Sequence, residues 1–414
     1  MKYKKYSSYK DSGVEWLGEI PESWDARRLG FYFKERREKV SDKVFSPLSV
    51  TKNGIVPQLE NAAKSDDGDN RKKVCKGDFV INSRSDRKGS SGLSQLDGSV
   101  SLINTVIEPK NINENYIHYL LKSQPFQEEY YRYGKGIVAD LWSTNYSEMK
   151  NIIISSPTLK EQQQIANFLD KATAKIDTLI EKQTKQIELL KEKRQAVISH
   201  AVTKGINPNV PMKDSGVEWL GEIPEHWEVK KLKFVLQLLN KKEKIINQIV
   251  VALENIESWS GKYIESDSSY QGDDVAFCIG DILFGKLRPY LAKVFLCSFD
   301  GIAFGDLLAY RPIKDYASKY AFYSLISEDF IKIVDSSTYG TKMPRASSEF
   351  LSEMRLTVPP LKEQQQIANY LDEKTSKIDI LIEKSNKSIE LLKEKRTAII
   401  SAAVTGKIDV RGLA

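Results

Sequence analysis

Residues 159–203 read LKEQQQIANFLDKATAKIDTLIEKQTKQIELLKEKRQAVISHAVT, and residues 361–405 read LKEQQQIANYLDEKTSKIDILIEKSNKSIELLKEKRTAIISAAVT. Of these 45 pairs, 34 are identical. In the first run an apolar stripe passes through Leu169, Ile176, Ile180, Ile187, Leu190, Val197 and Ala201, with Gln183 and Arg194 lying on it. In the second it passes through Leu371, Ile378, Ile382, Ser385, Ile389, Leu392, Arg396, Ile399 and Ala403. Alternating steps of three and four are the spacing of a coiled coil. Neither run contains Gly or Pro, and Gly205 and Gly406 stand just past the ends, where helices commonly stop. Thr158, three residues before Glu161, reads as a capping box; Pro360 takes its place in the second copy and loses it. Each run therefore predicts one continuous helix, about 65 Å long at 1.5 Å per residue. Pseudo-twofold symmetry would pair the two antiparallel, bringing Ile176, Ile180, Ile187 and Leu190 into one seam with Ile378, Ile382, Ile389 and Leu392.

The repetition extends outward. KDSGVEWLGEIPESW at 10–24 returns as KDSGVEWLGEIPEHW at 213–227, identical at fourteen of fifteen positions. Between the matched blocks, 28–150 and 231–353 are barely alike. A unit of about 200 residues is too long for a solenoid repeat and points to tandem duplication. Each insert mixes strand and helix signals. Val74–Ser83, Val100–Pro109 and Asn151–Ser155 read as strands around a helical Asn113–Tyr133 that can break at Pro125. Ala276–Lys286, Ala292–Phe299, Ile302–Tyr310 and Arg355–Val358 surround a helical Tyr316–Val334. Gly77-Asp78 aligns with Gly280-Asp281, and Ser147-Glu148-Met149 with Ser352-Glu353-Met354. The expected class is α/β in the α+β sense, with one globular fold used twice. Its divisions are 1–157, a helix at 158–204, a linker at 205–211, a second domain at 212–359, a second helix at 360–405 and a tail at 406–414.

Bulk properties exclude more than they assign. The 414 residues carry a net charge of +6 and a pI near 8.8, compatible with a polyanion partner. No run of 18 apolar residues exists, and MKYKKYSSYK lacks the apolar core of a secretion signal. Three scattered cysteines suit a reducing cytoplasm and suggest neither disulfides nor zinc. His200 and His226 are replaced by Ala402 and Ser23 in the other copy, so these and His118 read as satisfied surface histidines. No phosphate-binding glycine loop or amino-methyltransferase motif occurs. Glu108-Pro109-Lys110 matches half a nuclease motif without a fitting acidic partner. No catalytic, cofactor or metal residue is expected.

The inserts differ most in their basic loops. The first offers Arg84, Arg87, Lys88 and Ser90, then Lys135, then Trp142, which serves equally as core or reader. The second offers Lys286 and Arg288, then Thr341, Lys342 and Arg345. Arg and Lys beside Gly and Ser can reach phosphates and read guanine edges, although solvated basic loops are common too. On the helices, Leu189 and Leu391 lie on the outer face, while Leu179 with Leu381 and Ile198 with Ile400 widen the stripe. Helices of a partner could pack there, or the chain's own domains.

Taken together, the duplicated SGVEWLGEIPE segment with its Trp, the Gly-Asp strands, GKLRPY at 285–290 and the two LKEQQQIA helix starts resemble the specificity subunits of type I restriction–modification systems. The resemblance covers essentially the whole chain. It implies two target-recognition domains, each reading half of a split site on double-stranded DNA, with antiparallel helices as the ruler. It implies two adenine methyltransferase subunits and two restriction–translocase subunits as partners, which would carry S-adenosylmethionine, ATP and magnesium. The first copy reads NSRSDR at 82–87 where the second has GKLRPY. Other readings are the specificity subunit of a fused restriction–methylation system, an enzyme with a cryptic site, and a coiled-coil adaptor that binds no DNA.

Overall fold

A computed structural model describes residues 3–413 except 61–67, 137–141, 245–247, 267, 269 and 339–342. Helices α1 (Glu114–Lys122), α2 (Gln124–Arg132) and α3 (Tyr146–Met149) belong to the first insert, and the first duplicated run is the single helix α4 (Leu159–Lys204). Helices α5 (Ser318–Ile326), α6 (Glu328–Ser336) and α7 (Ser348–Glu353) follow in the second insert, and the second run is α8 (Leu361–Val404). At 46 and 44 residues the long helices measure about 69 and 66 Å.

Two compact units result, one of residues 1–183 with 387–414, the other of 184–386. Each takes its own insert, part of α4 and part of α8. In the first unit Ile165, Phe168 and Leu169 of α4 share a core with Ile399, Ile400, Ala403 and Val404 of α8, and Asp177 pairs with Arg396 at 2.9 Å. In the second, Ile198, Ala201 and Val202 of α4 meet Ile367 and Leu371 of α8, and Arg194 pairs with Asp379 at 3.0 Å. Early α4 meets late α8 and the reverse, so the segments run antiparallel in both units.

The apolar stripe is the buried face of each helix. Ile176, Ile187 and Ile378 are buried, and Ile180, Leu190, Ile382, Ile389 and Leu392 are half-buried. Thr173 and Thr375 lie buried on the same stripe; each hydroxyl donates to the carbonyl four residues earlier, which removes the cost of burying it. Ile198 and Ile400 pack into the cores of their own units and are not part of an outer face. At the start of α4, Glu161 N–H donates to Thr158 Oγ1 at 3.3 Å, which is half of the capping box. The Glu161 carboxylate instead accepts from the Tyr6 hydroxyl at 2.8 Å. Gly205 and Gly406 end the helices with φ of 77° and 73°. A Cβ at Gly406 would also lie 2.3 Å from Pro21 Cδ, so no other residue fits there.

Both inserts build the same sheet. The first orders its strands Ser91–Leu93, Phe79–Asn82, Asn104–Pro109, Phe33–Glu35, and the second Val294–Leu296, Ile282–Gly285, Leu307–Pro312, Leu236–Leu238, all antiparallel. Val106 faces Val80 as Ala309 faces Leu283, a constant shift of 203. A smaller sheet lies beside it, with an extra parallel strand Val250–Val251 in the second unit. Each Gly-Asp turn divides what the sequence presents as one strand, leaving its two parts in different sheets. The helical stretches break at Ser123 and Ser327, each hydroxyl donating to the carbonyl three residues back; Pro125 merely occupies the first turn of α2.

The Ser-Glu-Met alignment does not survive. Met149 N–H donates to Asn145 O and Leu351 N–H to Ser347 O, so the buried Met149 corresponds to Leu351. Ile152 then corresponds to Met354, since each accepts a backbone bond from Leu29 or Leu232. The matching triplets are three positions out of structural register.

Candidate nucleic-acid interface

The basic loops of both units hang on one backbone frame. In the second unit Lys286 N–H donates to Asp306 O at 2.9 Å, Ala346 N–H to Lys286 O at 2.8 Å, and Arg288 N–H to Pro344 O at 2.8 Å. In the first, Ser83 N–H donates to Ile103 O at 3.2 Å, Thr144 N–H to Ser83 O at 3.0 Å, and Ser85 N–H to Trp142 O at 2.9 Å. Leu287 bridges Arg345 as Arg84 bridges Ser143. Position for position, Ser83 corresponds to Lys286, Arg84 to Leu287, Ile103 to Asp306 and Ser143 to Arg345.

On that shared frame the side chains differ in kind. In the second unit Arg345 sets Nε and Nη2 each 3.1 Å from the Asp306 carboxylate, and Lys286 Nζ lies 3.7 Å from the same group. Arg288 is exposed and left-handed at φ 51°, with Ala292 at φ 47° beyond the turn Pro289–Leu291. Two non-glycine residues so placed are uncommon and mark a loop held in shape by its surroundings. Thr341 and Lys342 lie outside the described residues.

In the first unit the Ser143 hydroxyl donates to Ser83 Oγ at 2.8 Å. Arg84 is half-buried; Arg87 and Lys88 are exposed on the turn that follows, with Arg87 3.4 Å from Asp86. Ser90 is only 7% exposed, and its backbone closes that turn. The Lys135 backbone pairs with Ser143, and its ammonium lies 3.1 Å from Glu148. The Ser147 hydroxyl, and then Lys135, hold the Glu148 carboxyl below the usual carboxylate range. Trp142 is exposed at the edge of the loop and not part of the core. The sequence alone does not mark Asp306, Ser83 or Ser143, because only the backbone frame gathers residues from 83, 103 and 143, or 286, 306 and 345.

Another surface is repeated. Arg27 and Arg28 correspond by strand register to Lys230 and Lys231, and Phe31 to Phe234. Phe31 and Phe234 are 63% and 60% exposed. The Arg27 guanidinium lies 4.9 Å from the Phe31 ring centre and Lys233 Nζ 5.5 Å from that of Phe234. On the long helices Leu189 and Leu391 are 53% and 56% exposed. No group of His, Cys, Asp and Glu among the described residues is arranged to hold a metal ion, and no described helix is long and apolar enough to cross a membrane.

The model of the type I restriction modification DNA specificity domain matches residues 15–189 and, again, residues 224–391. The chain belongs to that family. It is a type I specificity chain, a DNA sequence-recognition component that is not itself catalytic. It is 26% identical to the type I restriction enzyme MjaVIII specificity subunit of Methanocaldococcus jannaschii, covering 95% of each chain. It is 25% identical to the EcoDI specificity subunit of Escherichia coli over 74% of this chain and 72% of that one. In fold it resembles a chain from a type I restriction–modification system solved for its complex assembly and conformational transition, with TM-score 0.69 at 15% identity, covering 93% of this chain and 98% of that one. It also resembles the HsdS subunit of Thermoanaerobacter tengcongensis, with TM-score 0.53 at 16% identity, covering 94% and 98%. The specificity chain thus carries its family's domain twice, once in each unit.

Proposed function

We propose that this specificity chain reads a bipartite, asymmetric site on double-stranded DNA, one half-site per unit. The observation that carries the reading is one loop frame holding two different sets of side chains. A constant frame supplies a constant pose, and changed side chains at 83/286, 84/287, 103/306 and 143/345 supply different words. Within it, Arg84, Arg87, Lys88 and Lys135 face one half-site, and Lys286, Arg288 and Arg345 the other. Arg27, Lys230 and their neighbours recur in both units while the loops diverge, which suits contact with phosphates, the part of DNA that is the same everywhere.

The recognition domains are 1–157 and 212–359, and α4 with α8 fix the spacing between half-sites. Leu189 and Leu391 recur at one outer helix position, as docking of two copies of one methyltransferase subunit requires. Two restriction–translocase subunits complete the assembly, and S-adenosylmethionine, ATP and magnesium sit on the partners. The setting is the cytoplasm, where the DNA is.

The test is methylation-aware sequencing of a host expressing the chain with its methyltransferase. A split, non-palindromic motif is the expected mark. An uninterrupted motif, or binding to DNA unaffected by salt, would overturn the reading.

A further inference from the structure

We infer that Asp306 is the positioning residue that sets what the second unit reads: it holds Arg345 and Lys286 so that Arg345 recognises a guanine in that half-site. The inference rests on the reading that these loops face DNA.

The Asp306 carboxylate stands between the two cations, 3.1 Å from both Arg345 Nε and Nη2 and 3.7 Å from Lys286 Nζ. A guanidinium has five N–H donors. Asp306 takes one on Nε and one on Nη2, leaving the outer Nη2 hydrogen and both Nη1 hydrogens. The outer Nη2 hydrogen and the Nη1 hydrogen alongside it form the pair of parallel donors that matches guanine O6 and N7. A free arginine side chain loses rotamer entropy on making that contact; one already held by a carboxylate loses less.

The bland alternative is an ion cluster that closes the loop. The first unit argues against it. There the same three backbone bonds close the same loop with Ile103 in place of Asp306 and serines in place of both cations. The frame needs no charge, so the carboxylate is free to serve the surface. It also accounts for a difference between the units: the hydroxyls at 83 and 143 cannot make the Arg345 contact, so the first unit reads through a different set of side chains.

The experiment uses the full complex with methyltransferase, carrying Asp306→Ile, Asp306→Glu or Arg345→Lys, and sequences the methyl marks on a randomised DNA library. Asp306→Ile and Arg345→Lys should each relax one G·C position of the second half-site by at least about tenfold, the scale of one lost bidentate base contact. The first half-site should stay unchanged, and Asp306→Glu should restore part of the preference. Thermal unfolding of Asp306→Ile should match the parent, because the first unit folds with isoleucine there. An unchanged second half-site in either Asp306→Ile or Arg345→Lys would overturn the inference, as would equal weakening on every sequence. If Asp306→Ile fails to fold, Asp306→Asn, which keeps the size and removes the charge, takes its place with the same expected and overturning outcomes. If the unaltered complex marks no split site, the proposed function fails instead.

Discussion

Asp78 and Asp281 are 2% exposed, and each carboxylate accepts a backbone N–H from the cysteine three residues earlier and a two-pronged contact from an arginine. The arginines are not equivalent. Arg36 follows the strand Phe33–Glu35, whereas Arg311 lies on Leu307–Pro312, at the position the first unit gives to Glu108. A buried carboxylate needs a cation, and either neighbouring strand can supply it. Removing Arg36 as Arg36→Leu should cost the first unit about 3 kcal/mol, because the carboxylate stays buried and unpaired. Adding Glu108→Arg should recover most of the loss by rebuilding the arrangement of the second unit; urea melts of the three proteins check this, and no recovery would mean the two frames are not interchangeable. His118 is a second case. The sequence presented it as a surface histidine, but burial, and then Lys122, push its pKa down to about 4 from an ordinary 6.5. The fold therefore prefers the neutral ring. Its contribution is complete above pH 6.5 and is lost as pH falls from 6.5 towards 4. His118→Gln should flatten the decline of the melting temperature across that window, and an unchanged slope would show that other groups govern it. The Gly-Asp turn was legible from spacing; which arginine serves it was not, since the pairing depends on strands far apart in sequence.

The long helices were the most legible element, because period alone fixes which face is buried. What period cannot show is how polar residues on that face are satisfied. Arg194 is 7% exposed, yet it meets Asp379 and also donates to Trp259 O at 2.9 Å, from a loop that no helix pattern foretells. Arg396 makes the matching pair with Asp177, but both side chains are considerably more exposed. Alanine at 194 should therefore cost about 2 kcal/mol, because it leaves the Trp259 carbonyl without its donor and Asp379 with only Lys262, 3.8 Å away, whereas alanine at 396 should cost under about 1 kcal/mol. Denaturant midpoints distinguish the two, and equal losses would mean the seam pairs do not differ in burial as drawn. The outer face behaves oppositely. Leu189 and Leu391 are more than half exposed, so Leu189→Glu with Leu391→Glu should change stability by no more than about 0.5 kcal/mol each. The same change should prevent co-purification with methyltransferase, since burying unpaired charge in an interface is costly. A well-folded double mutant that still assembles would place the docking surface elsewhere.

At the scale of the whole molecule, duplication makes each unit depend on a helix end that follows the other insert. The first unit is completed by Ile399, Ile400, Ala403 and Val404 of α8. A chain cut after Gly205 loses them, but it retains Val197, Ile198, Ala201 and Val202, which stand 202 positions earlier in the matching repeat. A second copy of residues 1–205 can therefore supply the missing side with the loss of one methylene at the position of Ile399. Arg194, a charged residue on the apolar stripe, has a partner ready in such a dimer. Arg194 meets Asp379 in the intact chain, and the residue equivalent to Asp379 is Asp177. Two copies of the half can thus form the pair Arg194–Asp177 twice, once on each side of a true twofold axis. Two features are lost: the carbonyl of Trp259, and the tail in which Asp409 N–H donates to Lys4 O at 2.8 Å and Val410 joins the core. The half should accordingly be a dimer less stable than the parent, dissociating on dilution. With methyltransferase it should mark a palindromic split site made of the first half-site and its inverted repeat, because both ends then carry the Arg84 loop. Sedimentation across a concentration series, followed by sequencing of the methyl marks, tests this. A folded half that remains monomeric at high concentration, or a non-palindromic mark, would show that the two helices are not interchangeable despite their sequence.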